Sequence, residues 1–357
     1  MNKNILVTGG AGFIGSNFIR YVLNNTKTPC IVNLDLLTYA GNLNNLKNIS
    51  KSERYKFFKA DICDQDFVEN LVRYEKIDTI VHFAAETHVD RSILKPDVFV
   101  QTNVNGTFSL LEAAKKNWLN GKNDIITRFH FISTDEVFGT LKPEDTPFSE
   151  TTPYAPNSPY SASKASADHF VRAYGCTYGL PISISNCSNN YGPYQFPEKL
   201  IPLIILNAIQ NKPLPIYGDG KQIRDWLYVE DHCEAIWKIL TEGEIGETYN
   251  IGGNNQPTNL AVVESICQIL DQEIGGVPHR KLITFVEDRL GHDRRYAINS
   301  TKIFKELNWR PTHSLYEGLR KTVKWYLDNM GWIKKVSKQK DSKYRVNQPY
   351  KRIEKST

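Results

Sequence analysis

Ser133-Thr134-Asp135-Glu136 closes an apolar run and is followed, one connecting segment later, by Tyr160-Ser161-Ala162-Ser163-Lys164. Two adjacent carboxyl groups can serve as a general acid and a general base, and a tyrosine four residues before a lysine shares its helix face. A phenol of reference pKa about 10 is a weak base at neutral pH, but a nearby ammonium favours the phenolate. The phenolate can then take the proton of a substrate alcohol as hydride leaves. Moving hydride alone would not require Asp135 and Glu136, so the set implies an oxidation coupled to further proton transfers.

A hydride acceptor needs a site, and the N-terminus supplies one. Thr8-Gly9-Gly10-Ala11-Gly12-Phe13-Ile14-Gly15 follows the first apolar run and opens a helical pattern. Glycines there permit a tight turn and let a pyrophosphate approach amide groups at a helix N-terminus. Asp35 ends the second run, twenty residues after Gly15. A carboxylate at that position accepts hydrogen bonds from both hydroxyls of an adenosine ribose and repels a 2′-phosphate, which selects NAD over NADP. Asp61 and Ile62 after the third run, and Ala84 and Ala85 after the fourth, fall where adenine and pyrophosphate would lie.

These residues need a frame. Strand-like runs at residues 5–8, 30–34, 56–60, 79–85, 128–133 and 181–187 alternate with helical patterns at 13–23, 65–74, 98–116 and 161–178. Repeated βαβ units with right-handed crossovers predict an α/β fold, a Rossmann-type doubly wound parallel sheet. Beyond residue 186 the elements shorten: helices at 202–210, 229–240, 260–270 and 315–330, strands at 214–217, 247–251 and 281–286. The expected organisation is an NAD-binding domain over residues 1–187, with segments near 221–251 returning to it. A smaller C-terminal α/β substrate lobe follows over 188–330.

Composition narrows the setting. A chain of 357 residues with 40% hydrophobic content can bury a sizeable core. No run approaches the roughly 20 apolar residues of a membrane helix, and Met1-Asn2-Lys3-Asn4 leads directly into the first strand. A cytoplasmic protein without membrane association is expected. The six cysteines form no Cys-x-x-Cys pair and the histidines no His-Glu-x-x-His, so reduced thiols and no metal are expected. The formal charge of +5 belongs to residues 331–357, where nine basic residues face two acidic ones, leaving −2 on the first 330. That tail reads as a solvated, mobile extension rather than a nucleic-acid contact.

The glycine loop, Asp35 and Tyr160-x-x-x-Lys164 resemble the extended short-chain dehydrogenase/reductases acting on nucleotide sugars. More narrowly, the chain resembles the dTDP-glucose 4,6-dehydratases over nearly all of residues 1–330. The matching segments include Leu37-Thr38-Tyr39-Ala40-Gly41-Asn42-Leu43, Ala84-Ala85-Glu86-Thr87-His88-Val89-Asp90-Arg91-Ser92 and Ser133-Thr134-Asp135-Glu136-Val137-Phe138-Gly139. Further matches run through Cys187-Ser188-Asn189-Asn190-Tyr191-Gly192-Pro193, Arg224-Asp225-Trp226 and Asp288-Arg289-Leu290-Gly291-His292-Asp293. Phe138 stands where the family usually has tyrosine, and Thr87 replaces a frequent serine; neither change removes a catalytic group.

The resemblance implies a reaction. Oxidation at carbon 4 of a nucleotide-linked glucose acidifies the proton on carbon 5, which Glu136 would remove. Asp135 would protonate the departing hydroxyl of carbon 6, and hydride would return to carbon 6, giving a 4-keto-6-deoxy sugar for rhamnose-type deoxysugar biosynthesis. Thr134 would hydrogen-bond the carbon 4 oxygen. Cofactor contacts are implied at Gly9, Gly12, Phe13, Ile14, Gly15, Asp35, Leu36, Thr38, Asp61, Ile62, Phe83, Ala84, Ala85, Thr102, Tyr160, Lys164 and Asn190. Substrate contacts are implied at Thr87, Thr134, Asn189, Glu198, Lys199, Leu200, Pro215, Tyr217, Arg224, Asn259, Arg289 and His292. A nucleoside diphosphate needs cations, and Lys199, Arg224 and Arg289 fit that need. The resemblance also implies a homodimer paired through the helices at 98–116 and 161–178.

Other readings share this frame. A UDP-sugar 4-epimerase uses NAD and the same tyrosine and lysine but has no use for Asp135 with Glu136, and a UDP-glucuronate decarboxylase needs no acid for a leaving hydroxyl. GDP-mannose dehydratases usually prefer NADP, which Asp35 disfavours. A non-catalytic NAD-binding scaffold would not need all five catalytic residues. Thymine and uracil differ by one methyl group, a discrimination of about 1–3 kcal/mol, so a UDP-glucose 4,6-dehydratase stays open.

Overall fold

In the computed structural model, which describes residues 4–119, 126–288 and 293–343, strand and helix alternate from the start. β1 (Asn4–Thr8) leads into α1 (Phe13–Asn25), β2 (Cys30–Leu34), β3 (Tyr55–Phe58), α2 (Gln65–Tyr74) and β4 (Thr79–His82). After α3 (Val89–Leu94) and α4 (Pro96–Phe99), a π-helical segment, Val100–Asn105, runs into α5 (Gly106–Trp118). β5 (Arg128–Thr134), α6 (Pro159–Tyr178), β6 (Ile182–Cys187) and β7 (Asn189–Tyr191) follow. The rest comprises α7 (Leu200–Ile209), β8 (Leu214–Tyr217), β9 (Trp226–Tyr228), α8 (Val229–Glu242), β10 (Thr248–Ile251) and α9 (Asn259–Ile274). It ends with β11 (Ile283–Val286), α10 (Thr301–Leu307), α11 (Leu315–Asp328) and α12 (Met330–Lys343).

Seven strands form one sheet in the order β10-β6-β5-β4-β1-β2-β3, with every neighbouring pair parallel. Both faces are covered, which suits strands that are apolar almost without interruption, such as Ile5-Leu6-Val7. Leu6, Ile80, Phe129 and Ile184 pack on one face with Val68 of α2, Leu110 of α5 and Val171 of α6. Ile5, Val7, Ile31 and Val81 pack on the other with Phe18 and Ile19 of α1 and Ile236 of α8. Successive residues of a strand point to opposite faces, so β1 serves both cores. A separate core gathers Ile204 and Ile205 of α7, Val262 and Ile266 of α9, and Leu319 and Val323 of α11.

Several expected boundaries move, and each shift has a cause. β4 stops at His82 because its partner β1 ends at Thr8, the Phe83 amide making the last bond to the Thr8 carbonyl. The helix read over 98–116 contains the π-helical turn of Val100–Asn105, invisible to a periodicity of 3.6. Strands β7 and β9 pair in parallel but hold three residues each, too few for an alternation signal. The expectation of a mobile tail from residue 331 is corrected over its first part. Met330–Lys343 is helical, and Ile333, 4% exposed, packs in the C-terminal core with Trp332. Residues 344–357 lie outside the described residues. All six cysteines are free, and no helix among the described residues is long and apolar enough to cross a membrane.

Candidate active site

The order of the sheet reverses at β1 and β4, and the loops leaving the carboxyl ends of its strands border one crevice. After β1 the chain makes its glycine turn. Gly9 has φ +70°, and a Cβ there would lie 2.7 Å from the Ala84 backbone, so the loops after β1 and β4 touch. A Cβ on Gly15 would lie 2.5 Å from the Gly9 carbonyl oxygen. Gly12 is the N-cap of α1 and offers no side chain to its first turn, leaving that end open to an anion.

Asp35, 8% exposed, accepts hydrogen bonds from the Ala11 amide at 2.9 Å and the Leu37 amide at 2.7 Å. Burial raises its pKa, and those two backbone bonds oppose the rise. Leu37 takes φ +57°, and a Cβ on Gly41 would sit 2.7 Å from an Asp35 carboxylate oxygen, so the loop after β2 wraps closely around the carboxylate. Asp61 accepts from the Cys63 amide at 2.9 Å. Ile62 is part of the core, with Phe13, Ile14 and Phe83 packed at the edge of the opposite one. Leu36 and Thr38 are exposed in the loop after β2, and Thr102 is half-buried in the π-helical turn.

At the end of β5, Thr134 caps a short 3-10 turn, Asp135–Phe138, its hydroxyl accepting from the Glu136 amide at 3.3 Å. Ser158 and Ser161 cap α6 reciprocally with Pro159 in its first turn, which sets Tyr160 at the helix start and Lys164 one turn later. The Lys164 ammonium donates to the Ile132 carbonyl of β5 at 2.7 Å and lies 4.1 Å from the centre of the Phe131 ring. Burial lowers its pKa to about 8.

Burial raises the Tyr160 pKa well above its ordinary value, Glu136 adds to the rise, and the Thr134 hydroxyl opposes it. These surroundings keep the phenol protonated, and positive charge brought near it would favour the phenolate. Asp135, 1% exposed, also has its pKa raised well above the carboxylate range, first by burial, then by Glu136 and Asp225. Its Oδ2 is buried with no hydrogen-bond partner. A neutral carboxyl group beside a second carboxyl group is an arrangement that can give one proton and take another.

Most of the expected substrate residues lie among the described residues, on the loop after β4 and on the segments from β7 to α9. Arg224, 5% exposed, donates to the Ile223 carbonyl at 2.7 Å and the Asp293 carbonyl at 2.9 Å, and stacks 4.3 Å above the Tyr296 ring. Lys199 reaches the Thr87 carbonyl at 3.2 Å, joining α7's entry to the loop after β4. Glu198 accepts from the Tyr39 hydroxyl at 3.1 Å, and Leu200 opens α7. Asn189 and Asn259 each bury a side-chain oxygen without a partner. Asn190 faces His232 Nδ1 at 2.9 Å, while Pro215 and Tyr217 lie along β8. Arg289 and His292 lie outside the described residues.

A family model described as GDP-mannose 4,6 dehydratase matches residues 6–322. The dTDP-glucose 4,6-dehydratase of Shigella flexneri is 56% identical over 343 residues, covering 93% of this chain and 95% of that protein. This chain belongs to the family of the dTDP-glucose 4,6-dehydratases. The family likeness extends to solved structures. The dTDP-glucose 4,6-dehydratase of Bacillus anthracis in complex with NAD is 48% identical, with a TM-score of 0.84 over 94% of this chain and 99% of that one. The Streptomyces venezuelae enzyme with NAD and TYD bound is 43% identical, with a TM-score of 0.85 over 93% and 99%.

Within this dehydratase frame, sequence reasoning passed over residues that tie together the segments around Asp135, Tyr160 and Lys164. Asp225, 1% exposed, accepts from the Gly253 amide at 3.0 Å, and burial raises its pKa to about 7. Its place in Arg224-Asp225-Trp226 was the available signal. Asn103 of the π-helical turn donates to Ser163 of α6 at 2.8 Å and to the Glu86 carbonyl at 3.0 Å, and accepts from the Glu86 amide at 2.8 Å. Asn186 donates to the Thr134 carbonyl and the Tyr154 hydroxyl, both at 3.3 Å, and Tyr154 donates to Asp168 at 2.8 Å. Phe138, the departure from the family's tyrosine, stacks on Phe148 with centroids 5.0 Å apart, which shows its role to be packing.

Proposed function

We propose that this chain is an NAD-dependent hydro-lyase that converts dTDP-glucose to dTDP-4-keto-6-deoxyglucose and water. The observation that carries the reading is the buried Asp135 beside Glu136, held next to Tyr160 and Lys164 at the end of β5. Bound NAD supplies the hydride acceptor for carbon 4 and the donor for carbon 6, and its oxidised ring adds the positive charge that Tyr160 needs. Gly9 and Gly15, where a side chain would collide with backbone, keep the turn tight, Gly12 leaves the α1 N-terminus bare for its pyrophosphate, and Asp35 fits its ribose.

Tyr160 takes the proton of the carbon 4 hydroxyl, with Lys164 supplying charge from α6, its ammonium held by the Ile132 carbonyl of β5. Thr134 donates to the carbon 4 oxygen as charge gathers there. Glu136 removes the proton of carbon 5, and Asp135 gives its proton to the carbon 6 hydroxyl, which departs as water. Once hydride has returned to carbon 6, Glu136 gives its proton back to carbon 5; carbon 4 stays a ketone, so the proton held by Tyr160 leaves to solvent, and Asp135 regains one from solvent to reset the site. Arg224 and Lys199, with Arg289, hold the diphosphate. An epimerase would have no use for the protonated Asp135.

The nucleotide is tested by incubating the protein with dTDP-glucose and UDP-glucose separately and comparing rates of keto-sugar formation. Preference for dTDP-glucose is expected, and a decisive preference for UDP-glucose would move the assignment to the uridine nucleotide while leaving the chemistry in place. The proposal includes a homodimer: Val100, Phe108 and Phe170 are 51%, 38% and 41% exposed around α5 and α6, which supports their pairing with a second copy. A monomer by light scattering would overturn it. Free thiols throughout are in keeping with the reducing cytoplasm.

A further inference from the structure

The C-terminal helix, α12, begins two residues after α11 ends and lies beyond the residues 6–322 that the family model matches. Its Trp332 joins an aromatic group with Tyr194, Trp325 and Tyr326, at centroid distances of 5.9, 5.1 and 6.3 Å. The indole N–H donates to Asn45 Oδ1 at 2.8 Å across 287 positions of sequence. Asn45 is 2% exposed, and its amide donates at 2.9 Å to the Ala11 carbonyl, which also accepts from the Asn42 backbone amide at 2.9 Å. The indole thus fixes which way the Asn45 amide points, because its oxygen is held by Trp332 and its nitrogen by the glycine loop.

Holding the Ala11 carbonyl sets the next peptide. In a planar trans peptide C=O and N–H point opposite ways, so the Gly12 amide is aimed at the Gly9 carbonyl, which it meets at 3.1 Å to close the turn. The Ala11 amide meanwhile donates to Asp35. From the same aromatic group, Tyr326 donates to the Gln195 carbonyl at 2.5 Å, and Gln195 donates to the Asn190 carbonyl at 2.9 Å.

We infer that α11 and α12 brace the dinucleotide cleft from outside, with Trp332 and Asn45 as positioning residues that hold the glycine loop in its binding shape. The inference rests on the proposed reading that this loop and Asp35 hold NAD. A helix docked only for stability would leave the loop indifferent to the indole N–H.

The test uses the full-length, cofactor-free protein and two conservative variants. Trp332→Phe keeps a ring but loses the donor, and Asn45→Asp keeps the acceptor but loses the amide that holds Ala11. Both should speed hydrogen exchange at residues 9–15 and weaken NAD binding by calorimetry about two- to tenfold, the worth of one hydrogen bond. Ile333→Ala, which removes a buried side chain of the same helix, should lower the melting temperature without either effect. Unchanged exchange and affinity in both variants, or equal changes in Ile333→Ala, would overturn the brace. If exchange rises but no form of the protein, wild type included, binds NAD, the brace stands and the cofactor reading fails.

Discussion

The glycine loop and the end of β5 face the same crevice but are built on opposite terms. At the loop, backbone groups are spoken for by other parts of the chain: Ala11 is tied to Asp35 and Asn45, Gly12 to Gly9, and Leu37 to Asp35. At the end of β5, Asp135 Oδ2, Ser133 Oγ, Asn186 Oδ1 and Asn189 Oδ1 are buried without hydrogen-bond partners. A buried polar atom left unpaired costs about 1–3 kcal/mol, which substrate groups can recover. One region has its turn tied in place with the α1 N-terminus left open to an anion, and the other carries unpaired side chains for substrate to meet, so binding and chemistry should separate under mutation.

Tyr160→Phe should break that separation most visibly. It removes the proposed base for carbon 4, and turnover should fall about a hundred- to ten-thousandfold, while calorimetric affinity for NAD stays close to wild type. Asp135→Asn comes next. Carbon 4 oxidation should persist, seen as transient reduced-nicotinamide absorbance, while water loss slows about a hundredfold or more; elimination at the normal rate would remove Asp135 from the acid's role.

Gly15→Ala probes the other region. The added methyl meets the Gly9 carbonyl, which cannot move without opening the turn, so NAD affinity should fall about tenfold or more while the loaded enzyme still eliminates water. If turnover at saturating NAD fell as steeply as affinity, the two regions would be one functional unit.

The smallest effect concerns pH. Asp225 has a folded pKa near 7, raised by burial from the usual carboxylate value, so the native chain holds a proton that the unfolded chain has released. Its contribution to stability is full at low pH and is lost as pH rises through about 4 to 7. Lys164, lowered to about 8, acts in the opposite sense in a higher window: stability rises as pH climbs from about 8 to 10. Asp225→Asn, which keeps an acceptor for Gly253, should flatten the acidic slope of melting temperature against pH in the cofactor-free protein. A slope identical to wild type would show that Asp225 does not hold that proton.

Much of this was legible in the sequence because the signals are local. The glycine spacing, Asp35 at a strand end, and the tyrosine and lysine one helical turn apart each carry their geometry with them. Asp225 stood in a matching segment, but its role and that of Asn103 were not legible, because they come from distant parts of the chain that fold against them: residues 253–255 around one, Glu86 and Ser163 around the other. The docking of Trp332 was hidden for the same reason, behind a run of lysines that reads as solvated. Even the pKa of Tyr160 turns on burial, which depends on the whole fold rather than on Lys164 alone.

The π-helical turn at Val100–Asn105 carries a consequence of its own. An α-helix advances about 100° per residue, and a π turn absorbs one extra residue without disturbing the helix on either side. Removing a single residue from this turn would restore α-helical register and swing Asn103 about a quarter-turn away from Ser163 and Glu86. The helix that carries Tyr160 and the loop after β4 would lose their shared fastening with no change to any catalytic side chain. The alignment of the active site is thus set partly by a count of residues, one more than an ordinary helix would hold.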